Sequence, residues 1–231
     1  VISGTGAAFS SARSAGAVTA TTTGKPVTPN GSSFYNVVFN GTGGNWAFSG
    51  GTASTSNDFT ITTGTVTMPT GTTTIGGSFQ NTGGTFMHNN GTLYFTSTAT
   101  GKSLRANGSS FYNLAFSGSG GAWSFVDTNA TSSNNVLITQ GTLTAPSGTF
   151  AVGSSFENSG TYTHNSGTLR LYASATGKIL RTGGSALRNL LVQGSGGGWT
   201  WSDASASTTN ALSILTGTLT LPSGTLDIGG S

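Results

Sequence analysis

Apolar residues punctuate a polar text at every second position. In "GTLTAPSGTFAV" from Gly141, the residues Leu143, Phe150 and Val152 stand among Thr, Ser and Gly. In "GTYTHNSGTLRL" from Gly160, Tyr162, Leu169 and Leu171 take the same places 19 residues further on. Successive side chains of a β-strand point to opposite faces, so this alternation, broken by Gly, Asn or Pro, predicts short strands joined by tight turns. No window carries a helical stripe with caps. Strands that return at a fixed offset predict a β-solenoid with equivalent residues stacked on successive coils, about 4.8 Å apart. At that coil length the chain would make about twelve coils and a rod of roughly 58 Å. A β-sandwich also uses short alternating strands, but it requires no such sub-period.

A longer period lies over the short one. Gly24-Lys25, Gly101-Lys102 and Gly177-Lys178 each open the same text, and Pro69, Pro146 and Pro222 recur within it. Trp46, Trp123 and Trp199 recur at intervals of 77 and 76. Four coils of 19 fill one repeat of about 76. The expectation is an all-β solenoid without substantial helix, continuous over residues 1–231. It divides into a degenerate partial repeat 1–23, repeats 24–100 and 101–176, and a partial repeat 177–231.

Composition narrows the class. Charged residues make up 6% of the chain, against about 25% in ordinary globular domains. Thirteen Phe, five Tyr and four Trp separate it from disordered polar sequences. At 231 residues it buries a core without disulfides, and it has no Cys. A net charge of +3, spread thinly, gives no footprint for nucleic acid. No run of about 20 apolar residues suggests a membrane span. The start at Val1, without initiator Met or signal-peptide pattern, fits a processed secreted chain or an excerpt of a longer one.

The block "SSFYNLAFSGSGGAWSF" followed by "GTLTAPSGT" is similar to long repetitive surface proteins of bacteria. More loosely, it resembles the β-helical passengers of filamentous haemagglutinin and autotransporter adhesins. The resemblance runs from about Gly24 onward, and its motifs are structural. It implies an extracellular, cell-surface-associated rod and assigns no ligand.

Candidate chemistry is sparse. His88 and His164 hold one repeat position, and so do Asp127 and Asp203, so the solenoid keeps each pair apart. Asp58 and Glu157 stand alone. No carboxylate pair, nucleophile elbow, phosphate loop or acidic calcium-roll repeat is present. The chain is therefore expected not to be an enzyme and to need no metal or cofactor. Asn30, Asn40, Asn90, Asn107 and Asn129 open Asn-x-Ser/Thr triplets, and a turn role suffices for the four that precede Gly. Trp46, Trp123 and Trp199 would serve as platforms for sugar rings if exposed. The alternation around them favours a repeat-matched stack of core residues. Thr142/Thr144 and Thr161/Thr163 would stack as on an ice-binding face, but the pattern breaks at "TFM".

Neither end shows a capping helix, and charged gatekeepers are few in "LTLPSGTLDIGGS". Residues 1–9, "VISGTGAAF", overlie "SFQNTGGTF" at 78–86 as a worn copy of the phrase that would follow Ser231. The resulting expectation is a structural protein that assembles with itself, head to tail, into a filament. Ile2 and Phe9 would meet Leu219, Leu221, Leu226 and Ile228 at the junction. The rival expectation is a stretch of adhesin stalk binding glycans or surfaces, with ice binding more distant.

Overall fold

The structure, a computed structural model, describes residues 7–8, 15–18 and 23–229, with backbone alone for the first two segments. No helix occurs among the described residues. All strand pairings are parallel, and one 22-stranded sheet winds into a β-solenoid of about ten turns. Alternation supplies the cause, since each short strand turns one row of apolar side chains inward and hydrogen-bonds the coils above and below. Partner offsets range from 19, at Thr142↔Thr161, to 25, at Phe79↔Leu104. The longer coils absorb extra residues at the Gly-Lys turns and at the Gly-rich bulges that interrupt Asn36–Phe48, Asn113–Phe125 and Leu187–Trp201.

Three columns of strands make three faces. The first runs Val37, Phe59, Phe79, Leu104, Phe125. The second runs Ala53, Thr73, Leu93, Leu114, Val136, Phe156, Leu180 and Trp201. The third includes Ala130, Phe150, Leu169, Leu190 and Leu212. Ala130 lies 77 residues after Ala53 and is its repeat equivalent, yet it stands on a different face. Val136, the equivalent of Phe59, has likewise moved from the first face to the second. From Ala53 to Ala130 the chain lays down eleven strand segments, three to a turn, which is three and two-thirds turns. Each repeat therefore falls a third of a turn short of four, and three repeats restore the starting face after eleven turns. Four coils per repeat was the expectation from a uniform 19. The bulged coils are longer, so fewer of them fill the same length of sequence.

Inside, aromatic rings stack along the axis. Phe59 and Phe79 lie 5.6 Å apart at 18°, and Phe95 and Phe116 lie 5.0 Å apart at 12°. Such contacts contribute about 0.5–1.5 kcal/mol each beyond their burial. Polar side chains staple coil to coil at the corners. The Nδ2 groups of Asn57, Asn134 and Asn210 donate to the Oδ1 atoms of Asn36, Asn113 and Asn189, at 2.9, 2.9 and 2.7 Å. Asp203 accepts from the backbone N–H groups of Thr182 and Gly183, one coil earlier.

Candidate functional site

The inward rows continue to the last described coil, where they lose their cover. Ile61 and Ile138 are wholly buried, while Ile214, at the same repeat position, is 48% exposed. Ile75 and Val152 are wholly buried, while Ile228 is 44% exposed. Leu221 takes the place of Met68 and Ala145, each 1% exposed, and is itself 49% exposed. Leu212, Leu219 and Leu226 pack against the core from below and remain partly open. Backbone pairing reaches these residues from one side only. Leu190 and Val192 pair with Leu212 and Ile214, Trp199 with Leu219, and Ala206 and Thr208 with Leu226 and Ile228. That coil is the edge of the described residues, which end at 229.

Four of the expected junction residues, Leu219, Leu221, Leu226 and Ile228, thus lie together on this edge. Ile2 and Phe9 lie outside the described residues. Leu212 and Ile214 complete the edge and were not expected there. Their signal lay one repeat earlier, in Val136 and Ile138, which cover the same positions in a finished coil.

The other candidate residues serve the rod itself. Trp46, Trp123 and Trp199 are buried at 1%, 0% and 2% exposure, so none forms a surface platform. They do not stack on one another. Trp46 lies between Lys25 and Val66, Trp123 between Lys102 and Leu143, and Trp199 between Lys178 and Leu219, one on each face. Trp199 donates its indole N–H to the Ser154 carbonyl at 2.9 Å. Thr142 and Thr144 do stack on Thr161 and Thr163. At the equivalent place Thr65 meets Thr85 but Thr67 meets Met87, and that pair sits on another face.

His88 and His164 hold equivalent turns on different faces. Each Nδ1 accepts a backbone N–H, from Asn90 and Ser166 respectively, at 3.0 Å. Burial lowers the pKa of His88, which also stacks on Tyr112. Burial raises the Tyr162 phenol, and it raises Tyr172 against the opposing charge of Arg170. Asn30, Asn90 and Asn107 have positive φ, as turn residues require. Asp127 and Asp203 bind backbone N–H groups, and Asp58 accepts from Ser78 N–H at 2.8 Å. Glu157 faces Arg181 at 3.6 Å. Among the described residues no three His, Cys, Asp or Glu side chains converge, and no helix is long and apolar enough to cross a membrane. An open groove of about 490 Å³ is walled by Ser33, Ser54, Ser56, Thr74, Thr96 and Lys102, and it contains no aromatic wall.

No family model, curated protein or solved structure matches the chain.

Proposed function

We propose that the chain is a structural, non-enzymatic element of an extracellular rod that extends by end-on stacking of solenoid coils. The C-terminal edge of one copy receives the N-terminal edge of the next, in register, and the core continues across the junction. One observation carries this reading: the described coils pair in parallel, each on the one before it, over one continuous apolar core. A coil added in register extends that core and contributes a further coil of backbone hydrogen bonds. Contacts of this heterologous kind do not close, so they propagate into filaments. Extracellular, surface-associated placement rests on the low charge, the richness in Ser, Thr and Asn and the resemblance to bacterial surface repeats.

The test is electron microscopy and sedimentation of the purified chain over a range of concentrations. Filaments of single-rod width are expected, with an axial period of about 53 Å for eleven turns. A pseudo-repeat a third of that length should rotate by a third of a turn. Replacing Ile214 and Ile228 with Lys should leave a folded monomer that no longer elongates, because charge on an edge strand blocks pairing. Monomers alone at high concentration would end the assembly proposal.

A further inference from the structure

We infer that the groove over Gly76 is a binding site for an aromatic ring with a hydroxyl at one end and a carboxylate at the other. The site lies on the flank of the rod and is independent of how rods join.

Two equivalent corners of the solenoid, one repeat apart, supply the argument. At the first, Gly76 donates its N–H to the Thr55 carbonyl at 2.8 Å, and at the second Gly153 donates to the Ser132 carbonyl at 2.9 Å. A Cβ on either glycine would stand 2.2 Å from a carbonyl oxygen, that of Ser56 or of Ser133. One coil later, Thr96 and Tyr172 hold the same place, each donating its N–H at 3.0 Å, to Ile75 and Val152 respectively. The two corners thus share one backbone arrangement and differ in that side chain.

At the second corner Tyr172 lays its ring across the glycine. Its Cζ would be 3.1 Å from a Cβ on Gly153, so a bare floor suits the ring. The phenol oxygen points two coils back and stands 3.5 Å from the Ser132 carbonyl oxygen. Arg170 covers the ring, 5.4 Å from its centroid. At the first corner threonine brings no ring, and an open groove of about 490 Å³ lies over Gly76. That volume falls within the range of small-ligand sites.

The chain's own ring therefore shows what the open groove is shaped to take. A ring laid on Gly76 in the manner of Tyr172 brings its hydroxyl to the Thr55 carbonyl. That oxygen, like the one of Ser132, has a second lone pair beside the one its glycine uses. The other end of the ring lies beside Thr96 and Lys102, on the coil where Tyr172 joins its own backbone. Lys102 lines the groove and forms no ion pair with a described residue. Tyr94 holds the repeat position of Arg170, so the guanidinium cover is missing and the positive charge comes from Lys102 instead. Ser54, Ser56 and Thr74 add hydroxyls along the rim. The ligand class is a para-hydroxyphenyl group carrying a carboxylate, from a free phenolic acid or from a chain terminus ending in tyrosine.

The test titrates the full 231-residue chain, isotope-labelled, with para-hydroxyphenylacetate and follows its amide NMR signals. Saturable shifts at Gly76, Thr96 and Ser97 are expected, with a Kd of about a few millimolar for a ligand this small. Thr96→Tyr, which gives the first corner the ring of the second, should abolish them without loss of thermal stability. Tyr172→Thr should open the second corner and add a second set of shifts around Gly153. Lys102→Gln should weaken binding about two- to fivefold, and phenylacetate, which lacks the hydroxyl, should bind about two- to tenfold more weakly. A tetrapeptide ending in tyrosine is titrated alongside; the ligand with the lower Kd identifies the source, and either result supports the site. Binding that persists in Thr96→Tyr overturns the inference. So does a Tyr172→Thr chain that gains no site, or the lack of a saturable shift at Gly76 by about 50 mM ligand.

Discussion

Replacing Asp203 with Ala removes an acceptor shared by four donors from the coil earlier and from its own. Its Oδ2 accepts from Thr182 N–H at 2.6 Å, Thr182 Oγ1 at 3.0 Å and Trp201 Nε1 at 3.0 Å, and its Oδ1 accepts from Gly183 N–H at 3.0 Å. Gly183 is exposed and finds water, and the Thr182 hydroxyl can rotate. The Thr182 amide and the Trp201 indole belong to residues at 0% and 1% exposure and are left unsatisfied. At about 1–2 kcal/mol for each stranded donor, the loss is about 2–4 kcal/mol. Asp127 provides an internal standard, because it holds the same place one repeat earlier with fewer partners. It meets Ala106 N–H at 2.5 Å and Asn107 N–H at a long 3.4 Å, so one buried donor is stranded in Asp127→Ala, at about 1–2 kcal/mol. Solenoids open locally, so amide exchange at Thr182 and Ala106 is the suitable assay. Protection of Thr182 should fall roughly thirty- to a thousandfold in Asp203→Ala, and that of Ala106 roughly five- to thirtyfold in Asp127→Ala. Equal losses in the two variants, or protection unchanged at Thr182, would refute the claim that stranded donors set the cost.

Three further outcomes are expected. His88 has its pKa lowered by burial, below 6.5, so the folded state binds a proton less readily than the unfolded chain. Its contribution is whole above pH 6.5 and is lost as pH falls from there through the lowered folded value. Thermal melts between pH 7.5 and 5 should show this slope and lose it in His88→Gln, and a His88 pKa at or above 6.5 by NMR would contradict it. Gly141→Ala should cost about 3 kcal/mol in denaturant melts, since its Cβ would stand 2.6 Å from the Gly118 oxygen at a φ of 82°; a loss under about 1 kcal/mol would mean the bulge yields. Trp123→Ala should cost about 3–5 kcal/mol, because the ring is wholly buried against Phe95 and Phe116; a neutral effect on stability with a lost glycan contact would return the residue to the surface-binding reading.

Alternation and matched offsets made the solenoid and its inward rows legible in the sequence. Thr142 over Thr161 and Leu143 over Tyr162 follow directly from lining up two phrases. The number of turns per repeat was hidden, because a sequence period counts residues and a turn counts strands. Phe79 reaches Leu104 across 25 residues while Phe150 reaches Leu169 across 19, and no single spacing describes both. Phe111 adds a strand segment as a lone bridge to Ser132, too short to read as a strand. The alternation in "NWAF" gave the inward direction of Trp46 but not its face, since direction is local and face depends on the summed lengths of all preceding coils. Leu212 and Ile214 escaped notice for a related reason: their strand follows a complete neighbour, and the described residues end before any coil that would lie over them.

The third-of-a-turn shortfall in each repeat decides where a partner can find repeated chemistry on this rod. Outward residues at one repeat position are carried in turn to all three faces, so Thr65/Thr67, Thr142/Thr144 and Thr218/Thr220 head separate short patches instead of one long flat array. A ligand that needs many matched side chains along a single face meets an interruption within about two coils. Inward residues suffer no such dispersal, because all three faces look onto one core, and an apolar side chain serves wherever the rotation puts it. Trp46, Trp123 and Trp199 stand on three different faces and are all buried. Rotation thus breaks up repeated chemistry on the flanks while leaving the core continuous.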